Sequence, residues 1–262
     1  MTRIIHAELL RLVRRRTIAV VAAGSLLFAL VATLAVLSSA EGSGAPSRRA
    51  AVSIDALAGH GGGTEAFAVG ASFLGLFVFV TFIALLASEF SGGTFRALLL
   101  RDPHRLRVIV GKLIGILLVA AAAVAIAEVA AFVLSLLVAP SQDIATTDWF
   151  SLTSVGDGLR DYGTVLAGVA GWAVFGTTLA VIFRSAPLAL GVGFAWPGPF
   201  ENIVVDSWDT GLRVFPGQVL ASLIRGGTVE LGLGRAAATA ALYAAVAGIV
   251  ALALVARRDV TA

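Results

Sequence analysis

Long apolar runs separated by short charged segments constrain this sequence more than any other feature. The runs cover about residues 17–37, 66–87, 108–138, 162–183, 188–205 and 236–256. Only 13% of the 262 residues are charged, against roughly 25% in an ordinary soluble domain. So little charge cannot cover a water-facing surface, whereas a run of about 20 apolar residues can cross a bilayer as a helix. We therefore predict an all-α integral membrane protein, a single transmembrane domain over residues 1–262 with six transmembrane helices.

The first run could also be read as a secretory signal peptide, because Ser38, Ser39 and Ala40 loosely suggest a cleavage site. Its apolar stretch of roughly 21 residues is longer than the roughly 7–15 residues of a signal peptide. We therefore expect residues 17–37 to be retained as the first span.

Two segments outside the runs predict helices that do not cross. Residues 1–16 combine five arginines with apolar side chains at helical spacing, a pattern typical of an amphipathic helix in the headgroup region. Residues 215–224 are apolar but too short to cross, so they are expected to lie in the interface or re-enter it between spans five and six. Within the fifth run, Pro197, Gly198 and Pro199 predict a break.

The basic residues are distributed unevenly along the chain. If both termini are inside, thirteen of the nineteen lysines and arginines fall in the inner segments, although the outer loops are longer. The positive-inside rule then places both termini in the cytoplasm, which requires an even number of spans. These arginines also account for the formal net charge of +3, so no nucleic-acid partner is expected. We predict a multi-pass protein of the bacterial inner (plasma) membrane.

Residues 89–112 form the most informative inner segment. Gly92 and Gly93 allow a sharp exit from the second span, and Asp102-Pro103 stops the short helix that follows. That helix carries an apolar ridge, Leu98–Leu100, between charged ends. An ordinary basic inner loop needs no such ridge, so the segment is expected to offer a partner protein an apolar surface to bind.

This segment resembles the loop between the second and third spans in the membrane subunits of type-2 ATP-binding-cassette exporters. The resemblance also includes the basic amphipathic helix at the start, six spans with both termini inside, and short re-entrant helices between spans five and six. The topological likeness covers nearly the whole chain, and the motif covers about 24 residues. The matching positions are Glu89, Gly93, Thr94, Leu98–Leu100, Pro103, Arg105, Gly111 and Lys112.

The resemblance implies that this chain is the permease subunit of an ATP-driven exporter and forms the substrate pathway. The loop would be its cytoplasmic coupling helix, seated in a groove of a separate ATPase. Glu89 would pair with a basic residue of that ATPase or cap the helix. The residues expected to serve this coupling are Glu89, Gly93, Thr94, Phe95, Leu98, Leu99, Pro103 and Arg105.

The expected partners are two copies of the ATPase, a second copy of this chain or a related permease, and membrane lipids. ATP and Mg would be held by the ATPase, since no P-loop is present here: the Gly-Lys pair at Gly111-Lys112 is followed by Leu113 and has Leu106 where the first glycine is needed. No cofactor, metal site or catalytic centre is expected in this chain. It has no cysteine, and its three histidines lie far apart in the sequence.

Two acidic features have competing interpretations. Glu128 lies inside the third run, where a carboxylate is costly; it either lines the substrate pathway or makes a structural hydrogen bond between helices. Glu201, Asp206 and Asp209 form an outer acidic cluster, which is either a cation site or a solvated loop, with the loop favoured.

Two other functions compete with the exporter subunit. A secondary transporter, or another polytopic membrane protein without an ATPase, would explain Glu128 as a proton carrier, but several intramembrane charges and paired repeats would be expected. A membrane enzyme would need convergent nucleophiles or acid–base pairs at membrane depth, and the six runs offer none.

Overall fold

The computed structural model describes residues 2–40, 52–101 and 104–257, and its regular elements are helices. The prediction of an all-α protein is therefore confirmed for this part of the chain. The α-helices are α1 (Thr2–Leu12), α2 (Arg15–Ser38), α3 (Ile54–Ala58), α4 (Gly62–Ser91), α5 (Thr94–Arg101), α6 (Arg105–Val138), α7 (Leu152–Phe183), α8 (Ala186–Ala195), α9 (Glu201–Val205), α10 (Gly211–Val214), α11 (Pro216–Ile224) and α12 (Leu233–Arg257).

Five helical segments are long and apolar enough to cross a membrane. They are α2, α6, α7, the continuous segment from α8 through α9, and α12. Helix α4 bends by 52° between Gly62–Phe73 and Gly75–Ser91, so the count rises to six only if α4 is one span. The chain is thus a multi-pass membrane protein.

The two ends of the bundle are closed by separate apolar clusters. The basic end, formed by α1, α5, the start of α6 and the ends of α7 and α12, gathers its cluster around Phe95, Val181 and Val255, with Ile4 packed against it. The distal end, formed by the end of α2, α3, the start of α4 and residues 139–150, has a second cluster around Trp149. Residues near both termini therefore lie at the same end.

Helix α4 connects these two ends despite its bend. Ala66 and Val69 belong to the distal cluster, whereas Phe90 packs against the basic-end cluster. At the bend, a Cβ on Gly75 would lie 2.4 Å from Trp172 Nε1, so only glycine lets α4 approach α7 this closely. Helix α4 therefore reaches both ends of the bundle.

The structure differs from the sequence prediction around the fourth and fifth runs. Helix α7 begins at Leu152, ten residues before the predicted span, because the Ser151 side chain accepts a hydrogen bond from the Ser154 N–H and caps it. The predicted break is a single π-helical turn, Trp196–Phe200, that leads directly into α9. Such a turn accommodates prolines, which lack an N–H, without ending the helix.

The short apolar segment forms α11, which packs inside the protein. Ile224 and Leu220 pack against Gly168 and Gly171 of α7, where added Cβ atoms would lie 2.2 and 2.5 Å from their side chains. Just before α11, the Val214 carbonyl accepts a hydrogen bond of 2.8 Å from Tyr243, ten residues or roughly 15 Å along α12 from its start. The segment therefore enters the bundle and returns towards the distal end.

Two exposed leucines at opposite ends test the predicted orientation. Leu100 in α5 is 84% exposed and Leu152 at the start of α7 is 89% exposed. In this cysteine-free chain, an impermeant thiol reagent added to intact cells should label Leu152→Cys and leave Leu100→Cys unlabelled. Permeabilised cells should label both. Labelling of Leu100→Cys in intact cells would overturn the orientation.

Candidate functional site

Four charged side chains form a network at the basic end. Lys112 Nζ lies 2.8 Å from Glu8 Oε2 and 3.0 Å from Glu89 Oε1. Arg11 Nη1 donates a hydrogen bond to the same Glu89 oxygen and lies 3.6 Å from Glu8 Oε1. Two acids and two bases thus join α1, the end of α4 and the start of α6, and their formal charges cancel.

The small residues of α6 bring α1 close enough for this network to form. A Cβ on Gly111 would lie 2.8 Å from the Ile4 side chain, and one on Gly115 would lie 3.0 Å from Glu8 Cβ. Helix α1 therefore packs on α6. Lys112 is only 1% exposed, because Glu8 and Glu89 supply the opposite charge that its burial requires.

The side chains of this network differ in their exposure to solvent, so they contribute unequally to stability. The Lys112 ammonium is buried, whereas the Arg11 side chain is 51% exposed. The hydrogen bond to Glu89 raises the pKa of Arg11 above its usual value. Among the described residues, Glu89 Oε2 has no hydrogen-bond partner. Within this network of described residues, Lys112 is thus the buried cation that compensates the two buried carboxylates.

Helix α5 is anchored at the basic end and leaves one large apolar side chain exposed. Gly93 has a φ of 71°, which turns the chain out of α4, and Thr94 Oγ1 donates to the Glu89 carbonyl at 3.2 Å. The Phe95 ring is buried 4.6 Å from that of Phe90. Leu100 points outward.

The expected coupling residues differ in how deeply the structure buries them. Glu89 and Phe95 lie inside the chain's own packing, where the Glu89 carboxylate pairs with Arg11 and Lys112. That Glu89 also binds a partner or caps α5 stays a prediction. Leu98 and Leu99 pack partly against the basic-end cluster. Gly93 and Thr94 are exposed, Arg105 is half-buried, and Pro103 lies outside the described residues. Leu100, absent from the expected coupling set, is the most exposed of the leucines of α5.

A cavity of about 990 Å³ lies between α4, α7 and the region from α9 through α11. Its walls include apolar side chains from α4 and Trp172 from α7, together with polar groups from the segment after the π-helical turn. The lining residues used below are Glu65, Ser72, Phe73, Leu76, Trp172 and Arg225.

Arg225 is held in this cavity from two sides. Its Nε donates a hydrogen bond of 2.9 Å to Ser72 Oγ, and its guanidinium carbon lies 5.1 Å from the centre of the Phe73 ring. This cation–π contact and the hydrogen bond fix the plane of the guanidinium. Arg225 directly follows α11, so the packing of α11 inside the bundle brings this side chain to the cavity.

Glu128 faces a neighbouring helix instead of the cavity. A Cβ on Gly158 of α7 would lie 3.7 Å from Glu128 Oε1, and Glu128 is not among the cavity-lining residues. On the same part of α7, Asp161 accepts a 2.6 Å hydrogen bond from Thr64. The position of Glu128 therefore favours a structural role between helices, while a substrate contact at Glu128 stays a prediction.

Two acids on helices escaped the sequence analysis. Glu65 lies on α4 and Asp161 on α7, although the predicted spans began one residue after each of them. The signal that could have found Asp161 is Ser151, a capping residue that starts α7 ten residues before the predicted span.

Glu201 is not part of a solvated acidic loop. It is fully buried, and its carboxylate oxygens accept hydrogen bonds from the N–H groups of Gly217 and Gln218 at 3.3 and 3.2 Å. N–H groups at the start of a helix have no acceptor within the helix, and a negative charge is favourable there. The Glu201 carboxylate supplies that acceptor at the start of α11. Asp206 and Asp209 remain exposed, and no acid–histidine group suited to a metal ion occurs among the described residues.

Comparison with known proteins identifies the family of this chain. A family model described as "Protein of unknown function (DUF2705)" matches residues 51–194, which is more than half of the sequence. The chain belongs to the DUF2705 family. No curated protein matches the sequence.

Removal of Lys112 should lower the free energy of unfolding more than removal of Arg11 does. Lys112→Ala leaves Glu8 and Glu89 buried without their ammonium, a change that costs about 3–5 kcal/mol. Arg11→Ala removes a half-exposed cation and should cost about 1 kcal/mol or less. Thermal unfolding of both variants in detergent measures the difference. Equal losses of stability would contradict the assignment of Lys112 as the central cation.

Proposed function

We propose that this DUF2705 member is the permease subunit of an ATP-driven exporter, forming the substrate pathway and taking its energy from a separate ATPase. The observation that carries the proposal is helix α5. It is a short helix between α4 and α6, anchored in the bundle by Phe95, and it presents the exposed Leu100 outward. An exposed leucine on an anchored helix at a bundle end is suited to a protein groove.

The anchor of α5 offers a route for mechanical coupling. Phe95 belongs to the same cluster as Val108 of α6, Val181 of α7 and Val255 of α12, with Ile4 of α1 packed against it. Movement of α5 would therefore displace the ends of four other helices. Glu89 supports the route indirectly, because its pairing with Lys112 ties the end of α4 to the start of α6.

The basic end is proposed to face the cytoplasm of a bacterium, with the chain in the inner membrane. Two observations support this orientation. The segments next to both termini lie at this end, and the predicted inner segments hold thirteen of the nineteen basic residues. An ATPase in the cytoplasm would then meet α5 directly.

The ATPase is proposed to be an ATP-binding-cassette subunit that holds ATP and Mg. The likeness of residues 89–112 to exporter loops supports this choice. Each chain supplies one coupling helix, whereas such ATPases work as dimers with two grooves. Two ATPase copies and a second permease, either this chain again or a relative, would complete the assembly.

A secondary transporter is the second candidate, and the structure adds one observation in its favour. Near the distal end, three helices of the bundle each carry a carboxylate: Glu65 on α4, Glu128 on α6 and Asp161 on α7. Ionisable groups inside membrane bundles commonly relay protons. Transport that persists without an ATPase and stops when a protonophore collapses the proton gradient would favour this candidate.

Leu100→Ala should weaken binding to the ATPase and leave the membrane domain folded. A large apolar side chain that becomes fully buried contributes about 1.5–3 kcal/mol, so the loss corresponds to roughly tenfold or more in affinity. The measurement is the amount of ATPase retained by the purified chain at a series of ATPase concentrations, together with its thermal unfolding.

Leu152→Ala is the matched control, because Leu152 is equally exposed but lies at the start of α7. It should bind the ATPase like the unaltered chain. Phe95→Ala should lower both binding and thermal stability, because that ring is buried. Unchanged binding by Leu100→Ala would remove α5 as the contact surface and leave the exporter proposal without its main support.

A further inference from the structure

Two side chains of opposite charge line the same cavity without pairing with each other. Glu65 lies on α4, and Arg225 follows the last residue of α11. Among the described residues, neither has an ion pair within 4 Å, and the Glu65 carboxylate makes no hydrogen bond. Each charge acts on the other across the cavity and not through a direct ion pair, so the space between them is suited to a ligand that contacts both.

Arg225 keeps most of its hydrogen-bonding capacity available. A guanidinium has five N–H donors, and only the Nε donor is used, by Ser72. The terminal amino groups have no acceptor in the described chain, while Phe73 and Ser72 fix the plane in which they lie. A fixed fork of free donors is the arrangement that binds a carboxylate or phosphate by two hydrogen bonds.

Glu65 calls for a positively charged group on the ligand. It lies seven residues before Ser72 on α4, which is about two turns or 10.5 Å along the helix axis. Residues seven apart share one face of a helix, so Glu65 and the Ser72-bound Arg225 lie on the same side of α4. A ligand with only an anionic group would satisfy Arg225 and be repelled by Glu65.

One side of the cavity is apolar, and its side chains are large. Phe73, Leu76 and Trp172 line the cavity, and Trp172 Nε1 is a buried donor without an acceptor among the described residues. The volume of about 990 Å³ is at the upper end of the roughly 300–1,000 Å³ of pockets for drug-sized ligands. A free amino acid would leave most of this volume unfilled. Four other charged lining residues, Asp206, Asp209, Arg213 and Glu230, lie at the exposed rim.

We propose that this cavity binds a zwitterionic amphiphile. Its carboxylate or phosphate lies on the terminal amino groups of Arg225, its ammonium group on Glu65, and its apolar body against Phe73, Leu76 and Trp172. This chemistry is shared by an ethanolamine-type phospholipid and by an apolar peptide with free termini. The binding site stands on the cavity alone; that its ligand is the transported substrate rests on the proposed exporter function.

Binding to the purified chain, without any ATPase, tests the site. The chain is kept in the non-ionic detergent dodecyl maltoside, and probes are measured by equilibrium dialysis. Dodecylphosphoethanolamine and tri-leucine are the zwitterions, dodecyl phosphate carries only negative charge, and dodecylamine carries only positive charge. At least one zwitterion should bind about tenfold or more tightly than dodecyl phosphate or dodecylamine, the difference made by one added charge-assisted contact. Binding of the phosphoethanolamine alone identifies a lipid source, and binding of tri-leucine alone identifies a peptide source.

Charge-neutralising variants assign the two contacts. Arg225→Gln should weaken the zwitterion and dodecyl phosphate but not dodecylamine, and Glu65→Gln should weaken the zwitterion and dodecylamine but not dodecyl phosphate. Arg225→Lys, which keeps the charge, should bind the zwitterion better than Arg225→Gln and guards against a merely unfolded variant. Arg16→Gln and Asp55→Asn, exposed positions outside the cavity, should bind like the unaltered chain.

Two results would overturn the proposal. One is that dodecyl phosphate or dodecylamine binds as tightly as both zwitterions, and the other is that folded Arg225→Gln and Glu65→Gln bind the zwitterion normally. Since no ATPase is present, such a failure would leave the coupling through α5 untouched. Conversely, loss of ATPase binding in Leu100→Ala would not affect this measurement.

Discussion

The buried ion network around Lys112 is the interaction on which the basic end of the molecule depends. One ammonium group, 2.8 Å from Glu8 and 3.0 Å from Glu89, compensates two carboxylates that come from separate helices. Buried ion pairs add little stability when compared with apolar residues, but they are strongly destabilising when one partner is removed. The network therefore fixes where α1 and the end of α4 sit on α6. Three residues after Glu89 the chain turns at Gly92 and Gly93 into α5, so the position of the exposed helix follows from the same buried charges.

Much of the architecture could be predicted from the sequence, because a membrane helix must satisfy its own backbone within an apolar run. Helices α2, α6 and α12 enclose the runs at 17–37, 108–138 and 236–256 with few extra residues. Helix α7 could not be delimited in this way. Its first ten residues include Asp157, Arg160 and Asp161, and composition alone treats such residues as a loop, although a capped helix continues through polar residues.

The candidate sites were predictable only in part, for a different physical reason. The location of α5 follows from local residues such as Gly93 and the leucines. The ion pairs of Glu89 do not follow from local residues, because its partners Arg11 and Lys112 are 78 and 23 positions away in the sequence. Arg225 is a stronger case, since its contact with Ser72 spans 153 positions. Only the close packing of α11 against the glycines of α7 brings those two residues together.

These two sites give one account of a DUF2705 protein: a cavity near the distal end for a ligand and a helix at the basic end for an energy source. Its central claim is that the chain works with an ATPase. The most direct test is native mass spectrometry of the tagged chain purified in detergent from its own membrane. The account predicts a complex of two permease chains and two ATPase subunits with P-loop sequences. A chain that transports its substrate while isolated without any ATPase, or in a functional one-to-one assembly, would contradict it.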